Sequence, residues 1–478
     1  MIQVQNNQIV PYKAILIQEG SKELQKLSSF IRMKFEGKVL QTAYEVVGET
    51  LHFYIGIGDL ENYSAIVAKE IGAKVVKGLK ELGCEAFEIN LNRLIEKFGE
   101  QVVTDVVEGM LLGGYMAPKY GEQESVKEIK IYLSGINEER QAHVQSLVDE
   151  ISHVVKGVAF ARDLVNKPGN LLRPSDFVDE ISKCFRGTAV EVVVLDAKAI
   201  EEAGMKALIA VGGSSENQPY FVVLRYLQDE TSDEIMGLVG KGVTCDTGGY
   251  CLKPAGSMLG IKGDMAGAAA VIGAVYGLAS NHKKANVIAC LPICENRISA
   301  GSLLPGDVIS SLAGKTIEVV NTDAEGRLIL ADAVTYAVQK EKVTKVLDIA
   351  TLTGAVVGLL GFSIAGVLSS DDRLWDKLHK SSVKAGERYL RVPYYKEHEK
   401  MIKSQIADIK NMGESYCGTI TAGLFIREFT EGKPWIHLDI AGTAWVDAPV
   451  FEYQTKGATG AGVTSIYYLC QKEEECIG

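Results

Sequence analysis

The sequence predicts an α/β protein of two domains, a small N-terminal α/β domain and a larger C-terminal domain with a mostly parallel or mixed central sheet flanked by helices. Three observations support this. Apolar residues make up 47% of the 478 residues, with 7% aromatics and 49 glycines, a composition typical of loop-rich α/β proteins. Several predicted strands are continuous Val/Ile/Leu runs, as expected where both faces of a sheet are covered. The chain of 478 residues is longer than a single hydrophobic core usually supports, which indicates more than one domain.

Residues 1–136 are predicted to form the N-terminal domain, and residues 137–165 a long helix that connects it to the rest. Short strands alternate here with helical runs, and none of them carries a constellation of catalytic side chains. The strands are predicted at Leu51–Ile57 and Glu85–Leu91, and the helices at Tyr63–Leu82 and Asn92–Leu112.

Residues 166–478 are predicted to form the catalytic domain, beginning after the Asn166–Asn170 breaker. Its strands are predicted at Val190–Leu195, Tyr220–Tyr226, Ile235–Val239, Asn286–Leu291, Lys345–Ile349 and Trp435–Ile440. Its helices are predicted at Pro174–Cys184, Ala266–Ser280 and Leu328–Gln339.

Charge and motif content exclude several classes of protein. The net charge of −11 argues against nucleic acid as the main partner, although a local basic patch stays open. Neither a signal peptide nor an apolar stretch of about 18 residues is expected, which predicts a cytoplasmic protein away from membranes. The nine cysteines lack zinc-finger spacing and are predicted to be reduced, and the seven histidines form no HExxH motif. A metal site would therefore be built from carboxylates.

The most informative stretch is Asn321–Arg327, between a predicted buried strand at Ile317–Val320 and a predicted helix. Ligands collect at the carboxyl ends of strands in open α/β sheets. Asp323 and Glu325 are two residues apart and can face one side of an extended loop, where a divalent cation would offset their repulsion. The alternative is an N-cap aspartate followed by a glutamate that favours the helix start.

A second stretch, Gly240–Gly249, follows another predicted strand and fails the phosphate-loop pattern, because position 242 is glycine. It places Lys241 and Asp246 in a glycine-rich loop, with Lys253 and Asp264 close behind. The alternative is that Asp264 caps a helix while the lysines pair with acids on a solvated surface. Together with Asp323 and Glu325, the two aspartates suit two adjacent divalent ions, with Zn²⁺, Mn²⁺ or Mg²⁺ as candidates.

These residues resemble the cytosolic leucyl aminopeptidase family of dinuclear zinc exopeptidases. The resemblance rests on NTDAEGR at 321–327, VGKGVTCDTGG at 239–249, NKPGNLLRPSDF at 166–177, ATLTGA at 350–355 and LDIAGTAW at 438–445. It covers most of residues 160–465 and implies an enzyme that removes the N-terminal residue, preferably apolar and Leu-like, from short peptides. It also implies a homohexamer.

The resemblance assigns roles by position. It implies one metal on Lys241, Asp246, Asp264 and Glu325, and a second metal on Asp246, Asp323 and Glu325. Catalytic roles outside the ligand set fall to Lys253 and to Arg327, whose counterpart in the family holds a bicarbonate that relays protons. Binding of the substrate backbone beyond the scissile bond falls to the Leu352 carbonyl and the Gly354 N–H.

One departure from the family pattern concerns specificity. Ile261 stands where the family commonly has a methionine lining the pocket for the first side chain. Three alternatives stay open: a Cys-Gly dipeptidase of the same reaction class, a DNA-binding or scaffold role beside or instead of peptidase activity, and another dinuclear hydrolase such as a phosphatase.

Overall fold

The computed structural model describes residues 2–6, 8–121 and 128–472. The chain divides into two compact units, one formed by residues 1–155 and 448–455, the other by residues 156–447 and 456–478. The division falls inside one long helix, Glu138–Asn166. The domain limits 1–136, 137–165 and 166–478 stay a prediction.

The first unit is a twisted sheet with helices. Its strands are β1 (Ile2–Val4), β2 (Tyr12–Gln18), β3 (Thr42–Val47), β4 (Thr50–Gly58), β5 (Ala86–Asn90) and β6 (Lys130–Ser134). They lie in the order β1-β6-β5-β2-β4-β3, parallel except for the β3–β4 hairpin. Its helices are α1 (Ser29–Arg32), α2 (Ala65–Glu81), α3 (Asn92–Phe98), α4 (Gln101–Gly114) and the part of α5 (Glu138–Asn166) up to residue 155.

The single helix predicted over Asn92–Leu112 is wrong, because α3 and α4 are separate. Gly99 ends α3 with a φ of 75°, a left-handed value that interrupts the helical path. Helix α4 then packs closely on α2 through glycines. A Cβ added at Gly109 would lie 2.0 Å from the Lys69 carbonyl oxygen, so the two backbones approach within the space that a side chain would fill.

The second unit contains the predicted central sheet, and that sheet is mixed. Its strands are β7 (Glu191–Leu195), β8 (Tyr220–Leu227), β9 (Met236–Gly240), β10 (Gly242–Asp246), β11 (Asn286–Asn296), β14 (Lys345–Ala350), β15 (Ala365–Ser369), β16 (Tyr389–Arg391) and β18 (Trp435–Asp439). The order is β16-β15-β18-β14-β9-β11-β8-β7, with β10 paired to β11. The inner strands β18, β14, β9 and β11 run parallel, and β8 and β15 run antiparallel to their neighbours β11 and β18.

Helices cover both the sheet and the smaller strand pairs of this unit. They are α6 (Pro174–Cys184), α7 (Ala197–Glu202), α8 (Lys206–Gly212), α9 (Ala266–Ser280), α10 (Glu325–Gln339), α11 (Gly354–Leu360), α12 (Asp372–Lys384), α13 (Lys396–Lys400), α14 (Gly418–Arg427) and α15 (Val463–Leu469). The remaining strands are β12 (Val308–Ser310), β13 (Thr316–Glu318), β17 (Ile409–Lys410), β19 (Trp445–Val446) and β20 (Gly457–Ala458). Helix α10 packs against β11, β9 and α8, and almost all its residues are buried.

Two expectations about the sheet need correction. The strand predicted at Ile317–Val320 is β13, and it belongs to a separate small sheet with β12 and β17. The stretch 242–246, expected to be a loop, is β10, because Gly242 to Asp246 continue along β11 beyond the end of β9. The candidate carboxylates therefore do not all leave the edge of one sheet.

Among the described residues, one helical run is long and apolar enough to cross a membrane by length and composition alone, which does not contradict the expectation that no stretch spans a membrane. The helical run Ala255–Ser280 meets that test with a mean hydropathy of 1.4. Its second part is α9, whose residues are nearly all buried among the strands of the second unit. Core helices pass the same test, so this run gives no argument for a membrane.

The α2–α4 contact gives a test of the first unit. Gly109→Ala should lower the free energy of unfolding by about 1–3 kcal/mol, because the added methyl group has no room. Gly114→Ala in the same helix should be neutral or slightly stabilising, since its nearest neighbour would be Val76 Cγ1 at 3.7 Å. Urea unfolding of both variants measures the difference. Equal stability of the two would contradict the packing described here.

Candidate active site

Lys241 lies between β9 and β10 and is 3% exposed. Its Nζ lies 2.7 Å from Asp264 Oδ2 and 2.9 Å from Glu325 Oε1, and it donates a hydrogen bond to the Thr351 carbonyl. Gly326 makes room for it, since a Cβ there would lie 2.4 Å from Lys241 Cε. A buried ammonium group thus joins two of the predicted ligands.

Lys253 forms ion pairs with the other two predicted carboxylate ligands, Asp246 and Asp323. Its Nζ lies 2.7 Å from Asp246 Oδ2 and 2.5 Å from Asp323 Oδ1. The chain reaches this position from β10 through a tight turn, in which Gly248 and Gly249 have φ values of 86° and 60°. Those values favour glycine, which explains the Gly-Gly pair.

The four carboxylates outnumber the two ammonium groups, and the pKa values reflect this. Burial and the nearby Glu325 carboxylate raise the pKa of Asp246 to about 6, and burial raises the pKa of Asp264 well above its ordinary range. Burial also acts to raise the pKa of Glu325, but Lys241 and Lys253 outweigh it and lower that pKa. Removing charged groups from water is costly unless they are paired, so the site is short of positive charge.

The residues fit divalent cations. Asp246, Asp323 and Glu325 each offer an oxygen within 4.8 Å of the others. Glu325 Oε2 is buried and, within the described residues, has no hydrogen-bond partner. Asp264 Oδ2 and Asp323 Oδ1 lie at ion-pair distance from lysine Nζ atoms. Neither oxygen accepts a hydrogen bond within the described residues. Buried oxygens with unused lone pairs are suitable ligands for hard or borderline divalent metals.

The capping roles in the two alternative interpretations are wrong, whereas Glu325 does lie at the start of a helix, as the first alternative expected. Helix α10 begins at Glu325 and its N-cap is Ala324, without a side-chain cap hydrogen bond, so Asp323 is not a cap. Helix α9 likewise begins after Met265 without a side-chain cap, while Asp264 accepts hydrogen bonds from Lys241 and Thr351. Lys241 is buried and Lys253 is 22% exposed at the cavity, and both pair with the predicted carboxylates and not with acids on a solvated surface.

Arg327 is buried beside this cluster. Its Nη1 donates to the Asn411 carbonyl at 2.8 Å, and its Nε has no hydrogen-bond partner within residues 2–6, 8–121 and 128–472. Burial lowers the pKa of Arg327 to about 10, so the guanidinium stays positive at neutral pH. A cation with an unused donor is available for an anion.

Asn411 is a site residue that sequence reasoning missed. It is fully buried, and its amide joins four backbone groups of the 320–324 loop, accepting from Val320 N and Asn321 N and donating to the Asn321 and Ala324 carbonyls. Its own carbonyl holds Arg327. It lies some 90 residues along the chain, outside any local motif, so no pattern in the sequence identifies it.

Three further positioning residues lie in or beside stretches already singled out. Asn296, at the end of β11, donates to Asp246 Oδ1 and to the Thr322 carbonyl. Thr351 donates to Asp264, and Asp439 accepts from Leu352 N and Thr353 Oγ1. The ATLTGA and LDIAGTAW stretches could have identified the last two.

A cavity of about 420 Å³ opens above these side chains. Among the predicted site residues, its lining includes Lys241, Asp246, Lys253, Asp264, Asp323, Arg327, Leu352 and Gly354. Glu325 lies beneath it, 1% exposed, in contact with Lys241. Ile261 is not among the lining residues and lies in the 3-10 helix Ala255–Gly263, so its contact with substrate stays a prediction.

Comparison with known proteins agrees with this geometry. Residues 159–467 match the cytosol aminopeptidase family, catalytic domain. The chain belongs to the cytosol aminopeptidase family. A probable cytosol aminopeptidase of Clostridium perfringens is 41% identical over 87% of this chain and 85% of its own length. Another from Clostridium tetani is 36% identical over 96% and 97%.

Solved structures give the same family assignment. The bottromycin maturation enzyme BotP, also solved in complex with Mn, is 30% identical, with a TM-score of 0.88 over 97% of this chain and 99% of that one. A tomato leucine aminopeptidase variant is 30% identical, with a TM-score of 0.87 over 98% and 96%. The predicted family and fold class are confirmed, and this aminopeptidase is a metalloexopeptidase of a family that uses a dinuclear metal site.

The cysteine prediction agrees with the structure for the part of the chain that it describes. Cys84, Cys184, Cys245, Cys251, Cys290, Cys294, Cys417 and Cys470 are free thiols. The ninth, Cys476, lies outside the described residues.

Asn411 gives the test of this site. Asn411→Ala should weaken metal affinity and kcat/KM by roughly 10–100-fold, because the loop that carries Asp323 and Glu325 loses four hydrogen bonds. Asn286→Ala is the matched control, since that amide makes three hydrogen bonds around Asp229 and Ser232, away from the cavity. Metal titration and peptide kinetics on both variants check this. Equal losses of metal affinity and kcat/KM in both variants would mean that Asn411 contributes only to general stability.

Proposed function

We propose that this aminopeptidase uses two metal ions to remove apolar, Leu-like N-terminal residues from short peptides. The observation that carries the proposal is the convergence of four carboxylates and two lysines, drawn from separate segments, beneath one cavity beside a buried arginine. A phosphatase site of similar carboxylates would usually add histidines, and the described ligand cluster has none.

The ligand sets follow the family pattern. One ion would be held by Lys241, Asp246, Asp264 and Glu325, and the other by Asp246, Asp323 and Glu325. Lys241 would bind its ion as the neutral amine, because the ammonium group that pairs with Asp264 and Glu325 has no lone pair until it loses a proton to solvent. Zn²⁺ is proposed, with Mn²⁺ or Mg²⁺ possible at one site, because carboxylate oxygens accept all three. When bound, the ions would polarise the scissile carbonyl and lower the pKa of a nucleophilic water.

The two other cations of the site are proposed to act on substrate and proton. Lys253 keeps its ammonium group at the cavity edge, 22% exposed, where it can donate to the oxygen that gains negative charge. Arg327 has an unused Nε donor, and a bicarbonate bound there would give a proton acceptor to a site without a histidine base.

The cavity wall suggests how a peptide is oriented. Gly354 is the first residue of α11, so its N–H has no partner within the helix and can hold a peptide carbonyl. The Leu352 carbonyl is the proposed acceptor for the peptide N–H. Ala441 lines the same cavity and gives it an apolar wall for a Leu-like side chain. Ile261 is retained as a proposed pocket residue by its position in the family pattern.

The proposal extends to cellular location, assembly and domain limits. A cytoplasmic homohexamer is proposed, with domains 1–136 and 166–478 joined by the helix of 137–165. The family names of its relatives support the cytoplasmic placement. A Cys-Gly dipeptidase and an additional DNA-binding or scaffold role are the alternatives, and a panel of dipeptides, aminoacyl amides and DNA duplexes would separate them.

Metal dependence is the first test of the proposal. Chelation should abolish hydrolysis of leucyl peptides, and added Zn²⁺, Mn²⁺ or Mg²⁺ should restore it, with about two ions per subunit by elemental analysis. Active protein free of metal would refute the two-metal proposal.

Substitution separates ligands from the oxyanion donor. Glu325→Ala should lose metal and activity together, because it removes a bridging ligand. Lys253→Ala should keep its metal and lose roughly 2–4 kcal/mol of transition-state stabilisation, seen in kcat. Lys198→Ala, which changes an exposed lysine of α7, controls for the loss of charge. Loss of metal from the Lys253 variant would mean that Lys253 is itself a ligand.

A further inference from the structure

Among the described carboxylates that line the cavity, one does not pair with Lys241 or Lys253. Asp246, Asp264 and Asp323 lie 2.5–2.7 Å from lysine Nζ atoms. Glu414 lines the same cavity, but its side chain is 56% exposed and its ion pair with Lys410 is 3.7 Å long. An exposed pair of this length is weak, so Glu414 keeps a negative charge that faces the cavity.

The position of Glu414 follows from the segment that carries it, residues 412–417. At its start, Asn321 Nδ2 lies 3.3 Å from Met412 Sδ, which ties the segment to the loop of the carboxylates. At its end, a Cβ on Gly418 would lie 3.0 Å from Ala355 Cβ. The segment therefore lies between the proposed metal ligands and the start of α11.

That end of the cavity is where the leaving part of the peptide would lie. The next residue of α14, Thr419, has its Oγ1 3.1 Å from Thr353 Oγ1, directly before Gly354. Gly354 is proposed to hold the backbone beyond the scissile bond. Glu414 lines the same cavity on the segment that leads to Gly418, which places its carboxylate on the side of the second residue of the substrate.

We propose that Glu414 selects substrates by the charge on the second residue, which rests on the aminopeptidase function proposed above. It favours peptides with Lys or Arg in that position and disfavours Asp or Glu. The interaction crosses a partly solvated cavity, so the expected effect is about three- to tenfold per unit charge and decreases with salt.

The negative charge of Glu414 also affects the binding of dipeptides. In a dipeptide the second residue carries the free C-terminal carboxylate, which lies on the backbone that Gly354 would hold. Repulsion from Glu414 then disfavours dipeptides relative to their amides. This argues against Cys-Gly as the preferred substrate, because glycine offers no side chain to compensate.

The test is kcat/KM on Leu-Lys-amide, Leu-Gln-amide and Leu-Glu-amide, with Leu-Gly and Leu-Gly-amide as the carboxylate pair. Wild-type protein should rank Lys above Gln above Glu, and Leu-Gly-amide above Leu-Gly. Glu414→Gln should compress the Lys/Gln, Gln/Glu and amide/acid ratios by about three- to tenfold each, and Glu414→Lys should invert the ranking. Raising the salt concentration should compress the wild-type ratios in the same way.

Glu397→Gln is the matched control, because it removes an exposed glutamate of α13 outside the cavity lining. Its ratios should equal those of the wild type. Unchanged ratios in Glu414→Gln, or equal compression in the Glu397 variant, would overturn the selection by Glu414 while leaving aminopeptidase activity intact. Failure of the metal-loaded wild type to cleave any of the five substrates would overturn the proposed function and this inference together.

Discussion

Charge repulsion among buried carboxylates is the constraint on which the site depends. Asp246 and Glu325 are almost completely buried and Asp264 is largely buried, so an unpaired charge on any of them is very costly. Lys241 and Lys253 offset part of that cost by direct ion pairs. Removing one partner of a buried pair typically costs 3–5 kcal/mol, since the other charge stays buried. The surrounding structure must therefore hold these groups rigidly.

The rigid support comes from backbone contacts on both sides of Lys241. Its N–H donates to the Ile349 carbonyl at 3.1 Å, and its own carbonyl accepts from Ala268 N at 2.9 Å, in the first turn of α9. That amide is one that a helix start leaves without an internal partner. A Cβ at Gly267 would lie 2.1 Å from the Ile349 oxygen, so only glycine lets α9 approach β14 this closely. The close approach that Gly267 allows thus helps to fix the position of Lys241.

The local sequence predicts the bounds of a helix correctly where residues at its ends favour a helix start or stop. Helix α6 begins at Pro174, a residue suited to a first turn, and both α6 and α9 have the predicted bounds. Strand β10 was missed because Gly242 gives no strand signal, and its pairing with β11 is a long-range fact. The proposed metal ligands follow from the family pattern, whereas Asn411 acts across about 90 residues through hydrogen bonds that no local spacing encodes.

Beneath the cavity and along its lining, the same chemical group occurs under different solvation. The Glu325 carboxylate is 2% exposed, and there a charge interacts strongly with its neighbours because water does not screen it. The Glu414 carboxylate is 56% exposed, so an interaction with it is worth little more than the thermal energy. Strong interactions suit groups that must hold metal ions in one geometry. Weak ones suit a surface that ranks peptides and then releases the product, since a tightly bound leaving residue would slow turnover. The difference in burial thus separates the residues proposed to do chemistry from the one proposed to select.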